Sequence, residues 1–219
     1  MKDQAFDQQP ASGAATGSWL QDIQRRRKWV LRILAAAAVG GVLVSDSMWP
    51  SGGLVHEAIE YVGIGLLLVC VAGRAWCTLY IGGRKKAELV QDGPYSISRN
   101  PLYVFSFLGA AGVGAAAGSV VTTFLTAIAC YAVFAVVVSK EETFLAAKFG
   151  RAYRDYCARV PRFGPRLSTW HDVETVEASP RLVLTSVFDG ALFFLAIPLI
   201  EGIEYLHQIG TLPTLFVLP

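Results

Sequence analysis

Several apolar blocks in this chain are each long enough to cross a bilayer, and no other feature restricts its fold as much. A membrane-crossing helix needs about 20 apolar residues, and residues 29–49, 54–81, 101–118, 120–139 and 182–206 are candidate spans. Inside a bilayer every backbone N–H and C=O must be satisfied by protein, which selects helices for such blocks. The expected fold class is an all-α integral membrane protein with about five transmembrane helices. Charged residues make up 16% of the chain against 53% hydrophobic ones. That is too little charge for an average soluble domain and too much apolar character for a disordered chain.

The connections carry their own signals. Pro50, Ser51, Gly52 and Gly53 form a turn between the first two spans, whereas 101–118 and 120–139 follow almost without a break and must form a tight hairpin. Pro198 should kink the last span by removing one backbone bond and crowding the preceding turn. Residues 1–18 read as a disordered polar tail. Arg25, Arg26, Arg27 and Lys28 before an apolar run imitate a signal peptide, but so long a polar tail ahead of the basic cluster speaks against one.

Lys and Arg should crowd the cytoplasmic connections only. The basic residues do fall on alternate connections: Arg25 to Lys28 with Arg32 before or at the start of the first span, Arg84, Lys85, Lys86 and Arg99 after the second. Lys140, Lys148, Arg151, Arg154, Arg159, Arg162, Arg166 and Arg181 follow the fourth. Arg74 is expected to snorkel to the inner end of the second span. Asp46, Glu57, Glu60, Glu201 and Glu204 belong to the other side. This pattern predicts a cytoplasmic amino terminus and an outer carboxyl terminus. With a net charge of only +2 and bases placed by topology, a nucleic-acid partner is disfavoured; membrane lipids are the expected surroundings.

Cys70, Cys77, Cys130 and Cys157 have no CxxC spacing, so neither a disulfide framework nor a zinc site is supported. His56, Glu57 and Glu60 lack a second His nearby and read as an exposed helix start, with no metal expected. Gly114 and Gly118 make a small-xxx-small pair, and with Gly109 and Gly112 they favour close packing on the fourth span or on a second subunit; the oligomeric state stays open. Asp189, inside the last span, should be functional or paired. His171 to Glu177 read as a solvated linker.

Two cytoplasmic segments concentrate polar residues. The first contains Gly93-Pro94-Tyr95 and Arg99-Asn100-Pro101-Leu102-Tyr103, with Pro101 suited to a helix start and Asn100 to its N-cap. Tyr95, Arg99, Asn100 and Tyr103 would then surround a positive helix end able to receive a carboxylate, although an interfacial Arg and Tyr belt would look the same. In the second, Ser139 and Glu142 have capping-box spacing on a helix that would continue the fourth span. Glu141 and Glu142 are two adjacent carboxylates where the chain leaves the membrane, an expensive place without a cationic or polar ligand. Tyr153, Tyr156 and Arg159 recur every three residues and share one helix face.

Together these segments, over residues 88–163, resemble the isoprenylcysteine carboxyl methyltransferase family and its relatives, the membrane phospholipid N-methyltransferases. The resemblance is carried by Leu89-Val90, Gly93-Pro94-Tyr95, Arg99-Asn100-Pro101-Leu102-Tyr103, Glu141-Glu142, Phe149-Gly150, Tyr153, Tyr156 and Arg159-Val160-Pro161. Asn100 stands where isoprenylcysteine enzymes usually have His, a form closer to the phospholipid branch, and a fifth span after the signature departs from shorter members.

The resemblance implies a cytoplasmic S-adenosylmethionine site without a Rossmann fold. Tyr95, Arg99, Asn100, Tyr103, Glu141, Glu142, Tyr153 and Tyr156 would hold the cofactor, Glu142 on its cationic amino acid end. Arg159 and Arg162 would orient an acceptor carboxylate, so that Glu142 and Arg159 are the expected catalytic pair. The implied organisation is a tail at 1–28, two helices over 29–81, a methyltransferase core at 82–166, a polar linker at 167–181 and a last helix with its tail at 182–219. The expected acceptor is a lipophilic molecule entering from the bilayer: an isoprenylcysteine-like carboxylate, already ionised and needing no base, or alternatively an aminophospholipid whose proton Glu141 would remove. A small transporter or scaffold, and a membrane sterol reductase, are the rival readings.

Overall fold

The structure, a computed structural model, describes residues 40–84 and 88–219. The tail at 1–18, the basic cluster at 25–28 and positions 29–39 of the first candidate span lie outside the described residues. The rest of that span is shorter than expected: residues 40–44 are helical, but Ser45–Ser47 form a strand, β1. Helix α1 spans Leu54–Ile81, followed by the short α2 at Pro94–Ile97 and by α3 at Pro101–Ala115. Helix α4 covers Val120–Phe149 and α5 Arg151–Arg159. Helix α6, at Pro180–Ala191, passes through a 3-10 turn at Leu192–Leu195 into α7 at Ala196–Gln208, and Phe216–Leu218 form β2.

Helix α1, helix α4 and the continuous α6–α7 rod are long and apolar enough to cross a membrane, while α3 is a shorter apolar helix. Leu68, Val69, Phe124, Leu125, Ile128, Phe188 and Leu192 are exposed. Such side chains would be a liability in water, but they suit a lipid-facing surface, and the chain is an integral membrane protein. The break in the α6–α7 rod falls where Pro198 dictates it. Proline has no N–H for the carbonyl four residues back, Phe194, and its ring crowds that carbonyl; Phe194 lies inside the 3-10 turn.

Helix α3 packs most extensively on α1, then on α4. A Cβ on Gly63 would lie 2.9 Å from Gly112 O, and one on Gly112 would lie 2.8 Å from Gly63 O, so the two backbones touch. A Cβ on Gly109 would lie 2.6 Å from the Cys70 side-chain Sγ. The α3 glycines thus serve α1 first; Gly114 alone among them faces α4, with Thr122 O at 2.6 Å. Gly118 makes the hairpin turn, its φ of +58° being accessible mainly to glycine, and the His56 ring fills the space a side chain would need.

Capping differs from the sequence expectation. Ser139 sits inside α4, where its hydroxyl donates to Ala135 O at 2.8 Å, so no capping box exists there. The cap of α4 is Ser119, which accepts from Thr122 N at 3.2 Å and donates to Pro219 O at 2.9 Å. At this end β1 and β2 pair in parallel, and His56 is buried rather than exposed, with Nε2 3.7 Å from Glu204 Oε2. Arg74 does not snorkel: its Nη1 donates to Ser106 Oγ on α3 at 2.8 Å. Asp189 lies on the exposed side of α6.

Candidate functional site

At the other end of the bundle, the segment after α1 and the segment after α4 are laced together. Gly93 starts α2 with a φ of +56° and lets the Tyr80 ring approach where a side chain would stand. Tyr95 then turns inward and is buried, and its carbonyl accepts from Tyr156 Oη at 2.7 Å. Arg99 N donates to Pro161 O at 2.9 Å, Ser98 Oγ to Phe163 O at 3.1 Å, and Arg166 N to Ile97 O at 2.9 Å.

The polar stretch after them is exposed over most of residues 171–177, as a solvated linker should be, but its start is tied into the same fabric. Thr169 Oγ1 donates to Ser96 O at 2.7 Å, His171 N to Ser96 Oγ at 3.2 Å, and Gly93 N to His171 O at 3.0 Å. Tyr80 Oη donates to the Asp172 carboxylate at 2.9 Å, and Trp170 stacks near Trp76 with ring centroids 5.9 Å apart.

Glu142 is the meeting point. Asn100 is the residue before α3, but its side chain makes no cap; Nδ2 donates instead to Glu142 Oε1 and to Arg162 O, each at 3.1 Å. Arg99 Nη2 lies 3.5 Å from Glu142 Oε1, and Arg162 Nε lies 3.1 Å from Oε2. One carboxylate therefore faces two guanidinium groups and a carboxamide drawn from two distant segments. The neighbouring carboxylate, Glu141, accepts from Tyr103 Oη at 3.0 Å.

Tyr153 and Tyr156 are buried side by side on α5, ring centroids 6.2 Å apart. Burial pushes both phenols well above the usual tyrosine range, and at Tyr153 the negative charge of Glu142 adds to it. Burial is the largest single influence on Arg99 and opposes its charge, but Glu142, Cys157 and Tyr153 together outweigh it and hold the guanidinium protonated more firmly than usual.

Of the residues singled out from the sequence, Arg99, Asn100, Glu142 and Arg162 form one cluster, with Tyr103 and Glu141 paired beside it and Tyr95 bonded to Tyr156. Arg159 stands apart on the exposed side of α5, where Nη2 donates to Gln91 Oε1 at 2.9 Å. Three-residue steps along a helix drift round it, and Arg159 has drifted out of the face that buries the tyrosines. Two participants escaped the sequence reading. Cys157 Sγ accepts from Arg99 Nη1, and Ser139 Oγ accepts from Arg162 Nη2 at 2.6 Å. Their signal was helical spacing, Cys157 one turn after Tyr153 and Ser139 one turn before Glu142.

The cluster has capacity for a zwitterion. A carboxylate can take an ammonium or sulfonium, and a guanidinium can take a carboxylate. Arg99 Nε is buried with no hydrogen-bond partner among the described residues, a donor left over at the site. Among those residues no group of three or more His, Cys, Asp or Glu is arranged to hold a metal ion.

The phospholipid methyltransferase family model matches residues 62–152, from α1 into the start of α5. The chain is 30% identical over 197 residues to the nickel-cobalt-cadmium resistance protein NccN of Alcaligenes xylosoxydans xylosoxydans, covering 90% of this chain and 92% of that relative. It is 32% identical over 190 residues to the cobalt-zinc-cadmium resistance protein CzcN of Cupriavidus metallidurans, covering 87% of each. A shorter match, 33% identical over 91 residues, is to the protein-S-isoprenylcysteine O-methyltransferase of Schizosaccharomyces pombe, covering 41% of this chain and 39% of that enzyme. No solved structure matches the chain significantly.

Proposed function

Because the chain belongs to the membrane methyltransferase family that joins the phospholipid methyltransferases to the isoprenylcysteine carboxyl methyltransferases, we propose that it methylates the carboxylate of a lipophilic, isoprenylcysteine-like acceptor with S-adenosylmethionine. The observation that carries this reading is the convergence of Arg99, Asn100 and Arg162 on Glu142. In this reading Glu142 takes the amino group of the donor and Arg99 its carboxylate, each exchanging a contact within the cluster for one to the ligand. Tyr95, Tyr103, Tyr153 and Tyr156 line the adenosine side, and Glu141 steadies Tyr103.

When bound, S-adenosylmethionine supplies a methyl group on a sulfonium, already activated for in-line displacement. A carboxylate acceptor is ionised at neutral pH and needs no general base, so the protein's work is alignment in a dry pocket. Arg162, at the edge of the cluster and half exposed, is the better placed guanidinium for the acceptor; Arg159 would have to leave Gln91 to reach it. The donor site belongs on the cytoplasmic face, while the acceptor enters sideways from the bilayer.

Asn100 keeps a second acceptor in view, the amine of an aminophospholipid, with Glu141 removing its proton. The names of the two long relatives extend the reading further: methylation of a membrane component would support tolerance of divalent metals.

Calorimetry of the detergent-purified protein with S-adenosylhomocysteine tests the donor site. Wild type should bind, and Glu142→Gln, which loses one charge-assisted contact, should bind about ten- to a hundredfold more weakly. No binding to wild type would overturn the methyltransferase reading, and equal affinity in the variant would remove Glu142 from it. Radiolabelled methyl transfer to a prenylcysteine, but not to phosphatidylethanolamine, is the expected outcome of an acceptor screen; the reverse would move the enzyme to the phospholipid branch.

A further inference from the structure

The chain between α5 and α6, residues 160–179, is a strap with two unlike sides. One side is polar and zipped to α2: Arg166 N donates to Ile97 O at 2.9 Å, Thr169 Oγ1 to Ser96 O at 2.7 Å and His171 N to Ser96 Oγ at 3.2 Å. The other side is apolar and open. Leu167 is 74% exposed, Trp170 46% and Val173 41%, in a stretch that is otherwise mostly polar. Leu167–Thr169 form a 3-10 turn that ends on Trp170, and in that geometry side chains three residues apart eclipse one another. Leu167 and Trp170 therefore share one side of the strap, while Thr169 between them binds inward.

Clustered apolar side chains left open mark a surface that meets something else, and the depth of the strap says what. Trp170 lies beside Trp76, ring centroids 5.9 Å apart, and Trp76 is five residues before Ile81, the end of α1, or about 7.5 Å of helix axis. Leu79 is exposed in the last turn of α1, and α6 runs alongside with Leu182 and Leu184 exposed. The two helices meet at this level, where the Leu182 Cβ lies 3.6 Å from the place a Cβ on Gly82 would take. The open side of the strap is thus continuous with the lipid-facing surface of α1 and α6.

An indole at this depth suits the boundary between hydrocarbon and headgroups. Arg166 and Arg181, both exposed and on either side of the apolar trio in sequence, suit the phosphates there. Asp172, the acid between Trp170 and Val173, is drawn off to Tyr80 Oη at 2.9 Å.

We propose that Leu167, Trp170 and Val173 insert into the interfacial layer of the bilayer at this end, and that the strap is a membrane-seated clamp over α2. Residues 166–171, which close over Gly93, Ser96 and Ile97, are then held on their outer side by lipid. Through Arg162 O, which accepts from Asn100 Nδ2 at 3.1 Å, the same strap reaches the Glu142 cluster. The inference needs neither the methyl donor nor the acceptor.

Spin labels test it on the full chain in phosphatidylcholine nanodiscs. Cys157 is replaced by Ser, and the other native thiols are buried. Single sites are then made by Leu167→Cys, Val173→Cys, Leu68→Cys on the lipid-facing side of α1, and Ala152→Cys on the exposed side of α5. All four positions are exposed, so the fold should tolerate each label. Three relaxing agents are compared: oxygen, a water-soluble nickel chelate, and nickel chelated on a lipid headgroup.

Labels at 167 and 173 should be relaxed most by the headgroup nickel and should lose most of the response to the soluble chelate that the label at 152 shows. The label at 68 should respond to oxygen and to neither form of nickel. A soluble-chelate response at 167 and 173 equal to that at 152 would put the open side of the strap in water and overturn the proposal. Exclusion of all three agents would put protein rather than lipid on it and overturn the proposal equally; dipolar broadening that vanishes on dilution with unlabelled chain would identify that protein as a second copy.

Discussion

Tyr153 and Tyr156 place two phenols near Glu142, Tyr95 is bonded to Tyr156, and the protonation of the three gives that corner a pH signature. Burial is the main cause of the upward shift at each, reinforced at Tyr153 by Glu142 and opposed at Tyr156 by Arg99. A phenol whose pKa is raised on folding keeps a proton that the unfolded chain releases near the usual tyrosine value of about 10. The stabilisation is therefore complete below about pH 10 and is lost as pH rises beyond it. In an alkaline titration followed by phenolate absorbance, these three of the eight tyrosines should remain un-ionised until the helical circular dichroism collapses. Ionisation of all eight while the helices are intact would contradict the packing of α5 against α2. Tyr156→Phe adds a sharper check: it removes the donor to Tyr95 O and should cost about 1–3 kcal/mol, because a buried acceptor is left unsatisfied.

The α1–α3 crossing is the element-scale feature on which the site depends, since it fixes where α3 presents Arg99, Asn100 and Tyr103. Gly63 and Gly112 meet backbone to backbone, whereas Gly65, on the same helix, has open space where its Cβ would be. Gly63→Ala and Gly112→Ala should each destabilise by about 1–3 kcal/mol through forced separation of the helices. Gly65→Ala should change stability by less than about 1 kcal/mol. Thermal unfolding in detergent separates these cases, and similar effects at all three positions would contradict the crossing.

Much of this level was legible in the sequence. The bounds of α1 follow from one long, mainly apolar run, and the α6–α7 kink follows from Pro198. What misled was local chemistry with two solutions. Ser139 and Glu142 have the spacing of a cap, yet apolar residues carry α4 straight through them, and the freed side chains bind Arg162. Asn100 precedes α3 as a cap should, but its Nδ2 donates to Glu142 and its side chain makes no bond to the helix N–H groups. His171 and Asp172 looked like a polar linker because their partners, Gly93, Ser96 and Tyr80, lie far back in the chain. Pairings across that separation leave no periodic trace.

At the scale of the whole molecule, basic charge gathers at one end. Arg84, Arg99, Lys140, Arg151, Arg154, Arg159, Arg162 and Arg166 lie at or beyond the end where α1 finishes and α3 begins. Asp46, Glu57, Glu60, Glu201 and Glu204 lie at the end closed by β1 and β2. Basic residues are retained on the cytoplasmic side during insertion, and a donor drawn from the cytosol would require the Glu142 cluster to face the same way, so the expected orientation and the proposed donor site agree. The bundle also supplies its own reporters. Cys70, Cys77 and Cys130 are buried and Cys157 is partly exposed, so with Cys157 replaced by Ser a membrane-impermeant maleimide should read new cysteines at exposed positions over a low background. Thr211→Cys, at the β-strand end, should label in intact cells. Ala152→Cys, on the exposed side of α5, should label only after the membrane is opened. The opposite pattern would put the Glu142 cluster outside the cell, away from its proposed donor, and would remove the cytosolic methyl donor from the proposed reaction.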